Sequence, residues 1–146
     1  MTQNNLTLSF GLPGLNEMIN VARTNRYASA KQKKKYTRLV EKELIAQHCI
    51  PETPLTSISV TCIWTESGRA RDPDNIRVGI KYILDAMVNT GVLKDDSMKY
   101  VKFLSDTFQK GEKRTVQVTW IANALLSEHR SGAEVGRNDP KLGRTQ

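Results

Sequence analysis

Histidine and cysteine are scarce in this chain, two of each in 146 residues. Cys49 and Cys62 form no CxxC pair, and together with His48 and His129 they match no zinc-finger spacing. That argues against a zinc site and predicts reduced thiols, as in a cytoplasm. No apolar run approaches the roughly 20 residues that a membrane span needs. The opening Met1-Thr2-Gln3-Asn4-Asn5 lacks the basic-then-apolar order of a secretory signal, so no membrane partner is expected. Walker loops, G-x-S-x-G elbows and dinucleotide fingerprints are absent too, which removes the commonest nucleotide and hydrolase sites. Acid is in deficit: 15 Asp and Glu face 22 Lys and Arg, a net charge of +7. Such a balance points to a polyanionic partner.

What is present suffices for one domain with its own core, expected over residues 5–126. From Ser127 onward the composition turns to Gly, Arg, Asn and Pro, and 127–146 reads as a disordered tail. Leu6, Leu8 and Phe10 alternate with polar residues, as in a strand with one buried face. Gly11-Leu12-Pro13-Gly14 breaks that strand, and a short helix over 15–22 follows with Asn16 as its candidate cap. A long helix is expected from Ala28 to about His48, with Tyr36, Leu39, Val40 and Leu44 recurring at helical spacing. Lys31, Lys35, Arg38 and Lys42 fall within about 60° of one another on a different face, at ~100° per residue. Arg23, Arg26, Lys33 and Lys34 thicken this basic region. The pattern suits a solvated helix face as well as a phosphate-binding one; the near absence of acids favours phosphate.

Pro51 and Pro54 end the helix. Ile58, Val60, Cys62 and Trp64 then alternate as a strand. Two further strands, about Tyr100 to Phe108 and Thr115 to Ile121, flank Gly111-Glu112-Lys113 and are expected to form a hairpin with Val116, Val118 and Trp120 buried.

Between these lies the densest chemistry of the chain. In Arg69-Ala70-Arg71-Asp72-Pro73-Asp74-Asn75, Asp72 sits at an N-cap, Pro73 at the first helical position and Asp74 in the first turn. Capping alone would explain an isolated D-P-D-N. The helix that follows carries an apolar stripe of Ile76, Ile80, Ile83, Leu84 and Met87. On roughly the opposite side, Asp74, Lys81 and Asp85 lie at i, i+7 and i+11 and span only about 40° at ~100° per residue. Lys81 and Asp85 also suit a plain surface pair, worth at most about 0.5 kcal/mol. Gly91 closes the helix, and the short return through Asp95-Asp96-Ser97 could bring those acids back toward Asp72. Converging carboxylates need a cation among them, and oxygen ligands without His or Cys select Mg²⁺ or Mn²⁺. An EF-hand starting at Asp72 fails, because Ile76 and Arg77 occupy its fifth and sixth positions.

Arg71-Asp72-Pro73-Asp74-Asn75, Lys81, Asp85-Ala86, Gly91-Val92 and Asp95-Asp96-Ser97, in that order, resemble the RusA family of Holliday junction resolvases of bacteria and phages. Leu12-Pro13-Gly14-Leu15-Asn16-Glu17 and the lysines after Arg26-Tyr27 extend the likeness over roughly residues 8–120. The resemblance implies an α+β domain, a small mixed β-sheet packed with helices, that forms a homodimer in a bacterial cytoplasm. It implies Mg²⁺-dependent paired nicks across four-way DNA, with Asp72, Asp74 and Asp96 as metal ligands and Lys81 as the essential lysine. Asp85 matches a recurrent family acid, and with the adjacent Asp95 it is expected as a supporting acid; the basic pattern itself offers Lys31, Lys34, Lys35, Arg38, Arg69 and Arg71 as the DNA contacts. The interval from Asp74 to Lys81 is three residues longer than in the shorter family pattern; at ~300° this keeps Lys81 on the same helix face, displaced by about 4.5 Å along the axis. A non-catalytic branched-DNA-binding protein and a nuclease for RNA or flaps are the competing expectations.

Overall fold

A computed structural model describes residues 2–123. The expected tail over 127–146, and the end of the domain near 126, lie outside the described residues. The elements are β1 (Asn5–Leu8), α1 (Leu15–Thr24), α2 (Arg26–Ala46), β2 (Ile58–Glu66), α3 (Pro73–Arg77), α4 (Ile80–Thr90), β3 (Val101–Lys110) and β4 (Thr115–Ala122). They build the expected α+β architecture around one mixed sheet of order β1-β4-β2-β3. Among the described residues no helix is long and apolar enough to cross a membrane.

The expected hairpin is not there. β3 runs parallel to β2 at the sheet edge, while β4 pairs antiparallel with β2 on one side and with β1 on the other. β2 therefore separates the two strands that the Gly111 turn joins. The connecting residues 111–114 cross the end of β2, where the Gly111 N–H donates to the Glu66 carbonyl at 2.9 Å. Two strand spacings are about 9.5 Å, within reach of four linking residues. The β2–β3 pair needs a crossover, and α3 and α4 supply it.

Period-two burial decides which sheet face is covered. Ile58, Val60, Cys62 and Trp64 of β2 are buried, as are Val116, Val118 and Trp120 of β4 and Leu6 and Leu8 of β1. They share one core with Val40 and Leu44 of α2 and Ile83 and Met87 of α4. The other face exposes Thr7, Thr61, Thr107 and Thr119. Phe103 and Ile121 on that face, 56% and 66% exposed, both lie opposite Ser59.

Capping differs from expectation at both early helices. Gly14, not Asn16, precedes α1, and its N–H donates to Glu17 Oε1 at 3.1 Å. Asn25 caps α2 by accepting from the Ala28 N–H at 2.7 Å, so that helix begins two residues earlier than the lysine pattern suggests. Gly91 does close α4, in the left-handed region at φ +87°.

Both thiols are buried and free. Burial first, then the nearby Asp106 carboxylate, pushes the Cys62 thiol up to about 12 from its ordinary value of 9.0, against a smaller opposing pull from Arg77. A thiol that stays protonated in the fold but ionises near 9 when unfolded stabilises the native state fully below that pH. The contribution fades as pH rises from about 9 toward 12. Tyr82, pushed up to about 12 chiefly by burial, adds a loss in the same direction above about 10. Folded protein at about pH 8 should therefore resist iodoacetamide at Cys62, and its urea midpoint should fall between about pH 8 and pH 11. Rapid alkylation of Cys62 without unfolding, followed by mass spectrometry, would contradict this.

Candidate active site

Arg71-Asp72-Pro73-Asp74-Asn75 has two inward-turned residues and two outward-turned acids. Arg71 Nε and Nη2 donate to Glu66 Oε1 and Oε2, each at 2.9 Å, a bidentate pair with side chains only 15% and 5% exposed. Its Nη1 donates to the Leu12 carbonyl at 3.1 Å and lies 3.4 Å from Glu17 Oε1. Pairing with Glu66 raises the Arg71 pKa against the opposing effect of burial. Asn75 accepts from the Asn16 N–H at 3.0 Å, capping α1 from outside it. A Cβ on Gly14 would collide with Asn75 and Arg71, so glycine is what lets the chain pass between them and the start of α1. Arg71, expected at DNA, is thus a clamp between the end of β2 and the start of α1. Asp72 and Asp74 remain exposed and, among the described residues, form no ion pair.

Beyond Arg77 the helix does not continue regularly. The Gly79, Lys81 and Tyr82 N–H groups bond three residues back, to Ile76, Val78 and Gly79. Such tightened turns advance ~120° per residue instead of ~100°, so the phase joining Asp74 to Lys81 is lost. Gly79 sits at the break with Trp64 and Leu12 packed so closely that a Cβ would lie 3.1–3.2 Å from both. Arg77 is tied down by Asp106, at 3.0 Å from Nε and 2.9 Å from Nη2, and Asp106 also accepts from Trp64 Nε1 at 2.7 Å. These contacts fix α3 against the β2–β3 end of the sheet.

Lys81 is the centre of what does come together. Its Nζ lies 3.2 Å from Asp85 Oδ1 and 3.9 Å from Asp96 Oδ2, while Lys33 Nζ approaches Asp85 Oδ2 at 3.6 Å. Lys33, Asp85, Lys81 and Asp96 form an alternating ladder from α2 across α4 to the loop before β3. The Lys33 contact is too long for a hydrogen bond, so buried Asp85 Oδ2 has a charged neighbour but no donor. Lys33 was visible only as part of a basic run; its spacing with Thr37, Val40 and Leu44 places it on the α4-facing side. Asp95 is exposed and stands outside the ladder.

The expected metal ligands Asp72, Asp74 and Asp96 fit Mg²⁺ in donor type, all being carboxylates. Among the described residues no three Asp, Glu, His or Cys side chains are grouped to hold an ion. Asp96 faces the Lys81 ammonium at 3.9 Å.

The basic residues divide between two hollows. Lys34 and Arg38 line a groove between α2 and α4, whereas Lys31 and Lys35 border another with Val21 and Tyr36. Arg69 is exposed on the loop before α3. No family model matches the chain, and no curated protein matches it.

Proposed function

We propose that this protein is a structure-selective endodeoxyribonuclease that nicks branched DNA such as a four-way junction. The observation that carries the reading is the exposure of Asp72 and Asp74 without cation partners among the described residues, on a chain with net charge +7. A basic protein that turns Arg71 and Asn75 of the same motif inward and leaves its acids open keeps those acids for something other than folding. The motif order, which resembles the RusA resolvases, supplies the reaction class.

Mg²⁺, with Mn²⁺ as a substitute, is the ion these oxygen donors would select; bound, it would supply charge stabilisation for a phosphodiester displacement. The chain's own contributions are separate from it. Lys81 holds a positive charge beside Asp85 and Asp96, where a phosphate gaining charge would be stabilised. The Lys34 and Arg38 surface attracts the backbone in a salt-dependent manner. Symmetric nicking needs two sites related by a two-fold axis, and the open sheet face with Phe103 and Ile121 supports a homodimer.

The competing reading is a branched-DNA-binding protein without cleavage. One assay separates them. Purified protein and an end-labelled junction are incubated with and without Mg²⁺, and nicks are mapped on all four strands. Mg²⁺-dependent nicks at paired positions on opposing strands are expected. Tight binding without nicks across several metals and junction sequences would establish the second reading.

A further inference from the structure

A small pocket opens where α1, α2 and α4 meet, and the proposed chemistry leaves its neutral polar groups unused. Its volume is about 160 Å³, and Met18, Ser29, Gln32, Lys33, Lys81 and Tyr82 line it. At ~30 Å³ per water that is room for about five waters, enough for one small planar ring system and too little for a whole nucleotide. Ser29, Gln32 and Lys33 stand at i, i+3 and i+4 of α2 and so share one helix face. Buried Tyr82 closes the pocket from α4, backed by Tyr36 at 5.8 Å between ring centroids. Among the described residues no carboxylate lines it.

Ser29 and Gln32 are half-buried, and neither side chain has a hydrogen-bond partner among the described residues. Both remain reachable, because the enclosed side-chain atoms without a partner are Thr37 Oγ1, Asp85 Oδ2 and Trp120 Nε1. A hydroxyl and a carboxamide offer donors and acceptors together, without charge. That pair suits the edge of a nucleobase better than a phosphate, whose oxygens only accept. Met18 adds an apolar, polarisable wall for a ring face.

We propose that this pocket takes one nucleobase of the bound DNA, unstacked from its strand, with Gln32 and Ser29 bonding its edge. This rests on the reading of the protein as a DNA nuclease. Lys81 both lines the pocket and stands at the reacting phosphate, so the captured base belongs to a nucleotide beside the nick. Unstacking is least costly beside a branch, where the stack is already interrupted, and the pocket thereby favours branched DNA over plain duplex.

The test uses four-way junctions with abasic sites at pairs of two-fold-related positions, moved stepwise along the strands. Wild type, Gln32→Ala, Ser29→Leu and Arg38→Ala, each checked by thermal melting, are titrated against them without metal. On the intact junction Gln32→Ala should bind about 5- to 20-fold more weakly, and Ser29→Leu, which fills the pocket, at least as weakly. One pair of abasic positions should erase the difference between wild type and both pocket variants, and Mg²⁺-dependent nicks should map beside it. Arg38→Ala, a backbone contact, should lose the same factor at every position. If one pocket variant melts too low to use, the other carries the comparison. A folded pocket variant that binds the intact junction like wild type overturns the pocket, and nicking by wild type then leaves the nuclease reading standing. A loss that no abasic pair erases overturns the base as occupant. An erased difference in a protein that never nicks keeps the pocket and overturns the nuclease reading. Wild type that does not bind junctions overturns both.

Discussion

Arg71→Ala is expected to destabilise the fold by about 3–5 kcal/mol, seen as a lowered urea midpoint. The substitution leaves Glu66, whose side chain is 5% exposed, without its bidentate partner. Arg114 remains 3.5 Å from Glu66 Oε1 and is itself 38% exposed, which offsets only part of the loss. The effect extends to α1, because the Leu12 carbonyl loses its donor and Glu17 its cation. Arg71→Lys should fall between wild type and alanine, since an ammonium cannot reproduce the fork on both carboxylate oxygens. A DNA contact would behave oppositely: stability would hold and junction affinity would drop. Unchanged denaturation of Arg71→Ala would remove the clamp.

Lys81→Met should reduce nicking about 10²–10³-fold while changing stability by less than about 1 kcal/mol. The small structural cost follows from exposure: Lys81 is 56% exposed, and its partners Asp85 and Asp96 are 18% and 34% exposed. Asp72→Asn, Asp74→Asn and Asp96→Asn should abolish most nicking, with junction binding kept or tightened because each removes a negative charge near the phosphates. The readouts are single-turnover nicking rates and anisotropy titrations on the same preparations. Nicking that survives in both Asp72→Asn and Asp74→Asn would leave the exposed acids without a catalytic role. Loss of folding in either would make them structural.

Strands facing the core were legible in the sequence because burial imposes a period of two, clean in β2 and β4. Strand partners were not. β3 lies at the edge with most of its residues exposed, so its pattern lacks the alternation that would set its face, and a short Gly-containing link to β4 imitates a hairpin. The Lys81–Asp85 contact was visible as an i,i+4 pair because α4 is regular there. The relation of Asp74 to Lys81 was not, since the apolar stripe runs unbroken through Val78-Gly79 and only the glycine marks the tightened turns. Arg71 beside acids resembled a DNA contact, but a signal for the clamp did exist. Glu66 continues the buried parity of Ile58, Val60, Cys62 and Trp64, and a carboxylate in that phase calls for an internal cation.

The pairing of β1 with β4 also sets an order of events in time. Leu6 and Leu8 meet Val118 and Val116, partners more than a hundred residues away along the chain. Synthesis at ~5–20 residues per second leaves the first strand alone for several seconds, during which α1, α2 and the β2–β3 crossover can collapse without it. β4 has to enter between β1 and β2, so the sheet closes last at its centre. Refolding from urea should accordingly be slow for a domain of this size, because loop closure over nearly the whole chain precedes the final pairing.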